Sequence, residues 1–267
     1  MLFDARDLAR GWLSVALASA KDTQRPVLSR TVYIESFAEG ARLVATDSIT
    51  LLHAWGPDIE HANDPGPSID EAPTKTAIAI DTHGRARGFL SHLLKLALKA
   101  EKEDWPAIEA RLRLDVADTG HQAPQATLAG LEARYVVLEQ PDQGDEAERL
   151  KLLTCDGIYP PWRKLLSNFA PELTTQLALA PDVVGQLAKV GKIHPGAKLG
   201  WSFGGENKAA SLRVIDSDPH VSGVVMPCRW DIDTNAPRAD DVVTEAEQIA
   251  RDAADVGDEE GDDLEDT

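Results

Sequence analysis

Side chains able to do chemistry are plentiful in this 267-residue chain, but they do not converge. The seven histidines are scattered, and none shares a metal-ligand spacing with a carboxylate or a cysteine, so no metal is expected. Cys155 and Cys228 give no disulfide framework. Gly204-Gly205 lacks the glycine spacing and the lysine with which a P-loop cradles phosphate, and there is no Gly-x-Ser-x-Gly elbow. Asp115 and Asp118 form a carboxylate pair of the sort that ends a strand and begins its turn. His92 falls on the polar side of a helix. With no nucleophile, base and orienting group in one place, the chain reads as a binding protein without a cofactor, not as an enzyme.

What remains is apolar recognition. Val224-Val225-Met226-Pro227-Cys228-Arg229-Trp230 places an adaptable thioether at the end of a β-branched run. A peptide-binding pocket needs apolar walls and a few backbone polar groups, not titratable side chains. Periodicity alone equally allows an ordinary core strand in which Met226 fills a gap.

The elements that must position these residues repeat one pattern: a short strand, an amphipathic helix, then two or three strands. The first unit starts at Leu2-Phe3, with a helix expected from about Asp7 to Lys21, capped by Asp4 or Asp7. Its apolar side carries Leu8, Trp12, Val15 and Ala16. Strands are expected at Thr31–Ile34 and Arg42–Thr46, around the Glu39-Gly40 turn, and from Ile49 to Trp55. Residues 57–73, rich in Pro, Gly, Asp and Asn, read as a linker loop. The second unit has a strand at Thr76–Ile80, a helix over Arg85–Lys102, and strands at Ala110–Val116, Ala133–Leu138 and Arg149–Thr154. The third has a strand at Thr175–Leu179 and a helix over Asp182–Val190, with Pro181 at its start and Gly191 as its stop. Strands at Lys198–Phe203, Ala209–Ile215 and Val221–Arg229 complete it.

The formal charge is −18, unevenly spread. Residues 239–267 hold thirteen acidic side chains and one arginine, a net of −12, which leaves −6 for the rest. This tail is too poor in large apolar residues to offset the cost of ordering and is expected to be disordered. It reads as a solubilising segment, with repulsion or mimicry of nucleic acid as the other meaning. Apolar runs fall short of the roughly 18 residues a membrane span needs, and the N-terminus lacks signal-peptide regions, which points to the cytoplasm.

Three segments in order carry a family resemblance. Arg25-Pro26-Val27-Leu28, Tyr33-Ile34, Gly40, Leu43 and Ala45-Thr46-Asp47 look like the first half of a clamp domain. Asp156-Gly157, Tyr159-Pro160 and Trp162-Arg163 are similar to a linking Asp-Gly-(aromatic)-Pro-x-(aromatic)-Arg segment. Val225-Met226-Pro227-Cys228-Arg229-Trp230 looks like the family's chain terminus. The family is the bacterial DNA polymerase sliding clamp, the β subunit or processivity factor, here resembling shortened versions encoded by bacteriophages. The resemblance departs from the family in length and in having Ser48-Ile49-Thr50 where Gly-His-Arg is common.

The resemblance implies an α+β DNA-clamp fold, with helices lining a ring interior and sheets outside. It implies a clamp-like domain over 1–165, a smaller one over 166–238, and the acidic tail over 239–267. It implies a partner-peptide pocket formed by Thr46, Ser48, Ile49, Leu51, Pro160, Leu165, Val224, Val225, Met226, Pro227 and Cys228. Expected partners are a polymerase and a clamp loader through short motifs, double-stranded DNA without sequence preference, and further copies of the chain, with a trimer favoured. Arg6, Arg10, Lys21, Arg85, His92, Lys95, Lys99, Lys189 and Lys192 would face the phosphates. The same residues also suit a solvated helix face. The alternative function is an adaptor that never closes a ring and binds clamp motifs or a host clamp.

Overall fold

The computed structural model describes residues 1–20, 26–62, 66–81, 84–116, 134–140, 148–155, 158–167, 169, 178–204 and 208–227. Residues Met1–Cys228 form one compact unit. Lys21, Asp118, Cys228, Arg229, Trp230, most of the expected strand at Thr175–Leu179 and the acidic tail lie outside the described residues.

Each of the three expected repeats is present. The first runs β1 (Leu2–Asp4), α1 (Ala5–Val15), β2 (Thr31–Ser36), β3 (Gly40–Thr46) and β4 (Thr50–Pro57). The second runs β5 (Lys75–Ile80), α2 (Arg85–Lys102), β6 (Glu109–Val116), β7 (Arg134–Glu139) and β8 (Arg149–Leu153). A short helix, α3 (Trp162–Ser167), leads to the third: α4 (Pro181–Leu187), α5 (Val190–Ile193), β9 (Lys198–Phe203), β10 (Ala210–Ile215) and β11 (Val221–Val225).

Local chemistry sets the element ends. Asp4 caps α1, its carboxylate accepting from the backbone N–H groups of Arg6 and Asp7 at 2.8 and 3.3 Å. That helix stops at Val15 and continues only as a 3-10 turn over Ala16–Ala18, short of the expected Lys21. Asp81 caps α2 from five residues upstream, accepting from the N–H groups of Ala86 and Arg87. Gly191 does not stop a helix, as expected from sequence; it lies inside α5, and the break falls between Leu187 and Val190. β11 ends at Val225 and does not reach Arg229, because Met226 turns its N–H to the Ile49 carbonyl and Pro227 has none to offer.

All strand pairs are antiparallel. One sheet has the order β1-β6-β7-β8 and the other, seven-stranded, β5-β2-β3-β4-β11-β10-β9. The strands of the larger sheet divide their side chains between two faces with period two. Leu43, Ala45, Leu52, Ala54, Val221 and Val225 join the main core with α1 and α2. Val44, Leu51 and Val224 join a second cluster with Tyr159 and Trp162. The helices thus cover one face and the 158–167 segment covers the other, which leaves β3 buried at every residue.

Candidate partner-binding surface and helix face

Three short segments meet where β4 pairs with β11. Val224 sits opposite Leu51 and Val225 opposite Thr50, and the Met226 N–H donates to the Ile49 carbonyl at 2.8 Å. Close approach requires Gly223, where a Cβ would collide with the Leu51 carbonyl. This pairing joins the last strand of the first unit to the last strand of the third.

The turn before β4 is held by its own side chains. Asp47 accepts from the N–H groups of Ile49 (2.9 Å) and Thr50 (2.6 Å), and the Thr46 hydroxyl donates to the Thr50 carbonyl at 2.8 Å. The turn needs a left-handed residue at Ser48, whose φ is 80°. That geometry favours glycine, which gives a physical reason for the Gly that the related motif carries at this point.

The linker segment is anchored from beneath. Tyr159 stacks on Tyr33 with ring centroids 4.6 Å apart, and its hydroxyl donates to the Val44 carbonyl. The indole N–H of Trp162 donates to Glu35, which is fully buried. Arg163 donates to Glu35 at 2.7 Å and to the Ile69 carbonyl at 2.7 Å, and Arg42 approaches the same carboxylate at 3.5 Å. Burial pushes the Glu35 carboxyl up and the Arg42 guanidinium down, against the attraction of the pair for each other. His53, under the Trp162 ring, meets Ser222 of β11 at 2.9 Å, and burial lowers its pKa from 6.5 to about 4. The sequence gave no reason to single out Glu35, Arg42 or His53; each is a polar residue in an otherwise apolar strand, which is the signal available.

The residues implied by the resemblance divide into two layers. Thr46, Leu51, Val224 and Val225 are buried and form the floor. Ile49, Leu165 and Met226 are large apolar side chains left 49, 49 and 42 % exposed, beside exposed Ser48 and half-buried Pro160 and Pro227.

The helices lie on the opposite face of the sheet. Arg85, His92, Lys95, Lys99, Lys189 and Lys192 are exposed, while Arg6 and Arg10 are half-buried. Arg6 is engaged with Asp7 and Glu101, and Lys99 with Glu103. Between α1, α5 and the start of α2 lies a cleft of about 640 Å³ with Trp12, Leu13 and Ile193 among its apolar walls and Arg87, Lys189 and Lys192 among its basic residues. Arg87 was not anticipated because it stands one position from Arg85, and a helical wheel does not show which helix will face it.

This arrangement is the sliding-clamp fold. Among solved structures, the DnaN sliding clamp of Pseudomonas aeruginosa (DNA polymerase III subunit beta), bound to griselimycin, matches with a TM-score of 0.51 at 15 % identity. It is covered over 65 % of its length by 86 % of this chain. The polymerase III beta of Caulobacter crescentus matches with a TM-score of 0.50 at 16 % identity, over 66 % of that chain and 86 % of this one. The present chain therefore spans just under two thirds of these relatives. No family model matches it, and no curated protein matches it in sequence.

Proposed function

We propose that this chain is a subunit of a DNA sliding clamp, a processivity factor that encircles duplex DNA and tethers a polymerase through a peptide-binding surface. One observation carries the reading. The exposed Ile49, Leu165 and Met226 surround a junction between units on one face of the sheet, and the basic helices lie on the other. A tether needs this separation, so that a partner can be held without displacing DNA. Residues 1–165 act as one clamp domain and 166–238 as part of another, followed by the acidic tail. Placement in a bacterial host cytoplasm and the shortened, phage-type character belong to the same proposal.

The mechanism is positional. Helix-borne cations meet phosphates without reading bases, and a closed ring resists dissociation by topology where electrostatic attraction is weak. A bound peptide motif raises the local concentration of polymerase at the primer end. Partly exposed side chains such as Met226 and Leu165 each contribute about 1 kcal/mol when a partner covers them, from roughly 25 cal/mol per Å². Met226→Glu with Leu165→Glu should therefore weaken binding of a fluorescent clamp-motif peptide by at least about tenfold, by this area reckoning. Both positions are exposed, so folding should be unaffected. Unchanged affinity would remove the pocket assignment. An adaptor that never closes a ring would keep the peptide affinity but show no DNA encirclement.

A further inference from the structure

The first two units complete each other reciprocally. β1, which leads the first unit, pairs with β6 of the second; β5, which leads the second, pairs with β2 of the first. Each unit lends its leading strand to the other's sheet, and α1 lies against α2. Such an exchange is what a local two-fold axis produces. The third unit has the same order of helix and strands, but its β9, in the position of β2 and β6, pairs with β10 alone. Among the described residues nothing occupies the outer edge of β9.

That edge is six residues long, contains no proline, and places Leu199, Trp201 and Phe203 half-buried along it. It carries none of the usual protections of a terminal edge beyond Lys198 at its start. The adjacent helix α4 leaves Val184 46 % exposed, and a Cβ at neighbouring Gly185 would meet nothing within 4 Å. In the first two units the corresponding helix side is covered by the partner unit's helix.

We infer that the third unit is completed by the third unit of a second copy of this chain, around a two-fold axis equivalent to the one relating the first two units. The occupant is fixed by continuity: β9 extends a sheet in which every comparable position is filled by a unit of the same kind. At the opposite end of the chain, β8 closes the four-stranded sheet with Leu153 60 % exposed, and its counterpart β4 pairs last strand to last strand with β11. Both ends of the chain are therefore self-complementary. A ring closed by two alternating isologous contacts holds an even number of chains, whereas the trimer expected from the resemblance needs a head-to-tail contact. The inference rests on the unit pattern and is independent of the peptide surface.

The test uses the full chain. Val184→Cys, in a background with Cys155→Ser and Cys228→Ser, should be cross-linked to a dimer by a flexible bis-maleimide, and the background alone should not. Val184→Glu should halve the mass measured by light scattering while keeping its circular dichroism and its affinity for a clamp-motif peptide. An odd number of chains, an unchanged mass for Val184→Glu, failure of Val184→Cys to cross-link, or a monomer at every concentration would each overturn the inference. Peptide affinity, read in the same samples, reports separately on the proposed function.

Discussion

Glu35 offers the sharpest test of how the linker segment is held. Its buried carboxylate accepts from Arg163, Arg42 and the Trp162 indole, and these contacts fix the start of α3 and so the place of Leu165. Glu35→Ala would leave Arg42, itself buried, facing Arg163 with no counter-charge, and would orphan the indole N–H. Breaking one partner of a buried ion pair costs about 3–5 kcal/mol. That is a large share of the roughly 5–15 kcal/mol that hold a domain folded. Glu35→Gln keeps an acceptor and should cost less. Burial opposes the charged forms of both Glu35 and Arg42, so the network positions the linker more than it stabilises the fold. An apolar replacement of all three, Glu35→Leu with Arg42→Met and Arg163→Met, should therefore recover most of the loss of stability. It should still weaken peptide binding, because α3 is no longer pinned. Urea unfolding followed by tryptophan fluorescence measures the first quantity and fluorescence polarisation the second. A cost below about 1 kcal/mol for Glu35→Ala, the level of an exposed pair, would refute the reasoning.

Acid should loosen the same junction. His53 and His194 titrate at about 4 when folded, both chiefly because of burial, with Arg42 near the first and Arg10 near the second, against 6.5 in the unfolded chain. The unfolded state thus binds more protons between pH 6.5 and 4, and stability falls as the pH drops through that window, by at most about 1.4 kcal/mol per pH unit for each histidine. Asp7, raised to about 6 by burial and by Asp4 and Asp218, acts in the opposite direction below pH 6 and offsets about one of them. Asp7→Asn should steepen the acid loss and His53→Gln should flatten it; identical pH profiles by urea unfolding would contradict the assignment. Gly223→Val should separate β4 from β11, costing several kcal/mol in the manner of other backbone collisions and abolishing peptide binding together with cooperative unfolding. Wild-type affinity for that variant would show that the junction does not build the surface.

Much of the fold was legible because the signals are local. α2 is found at Arg85–Lys102 as expected, since eighteen residues of helical period outweigh any context, and β9 runs over Lys198–Phe203 as read. Errors gather where tertiary contacts decide. α1 is cut at Val15 although its apolar pattern runs on, and α3 arises in a segment whose prolines read as linker. Gly191 was misplaced because a helix tolerates glycine when Val190 is fully buried against the core. For the site, Ile49, Leu165 and Met226 could be named from the motif, but the split between floor and exposed rim depends on which face each strand turns outward. The Glu35 network joins residues more than a hundred positions apart, a distance over which no spacing rule operates.

Negative-stain electron microscopy of the purified chain, at the dilution used for peptide binding, tests the central claim most directly. The account predicts class averages of a closed ring with an open centre, built from an even number of identical segments. Solid particles without a hole, or single open arcs at every concentration, would contradict it.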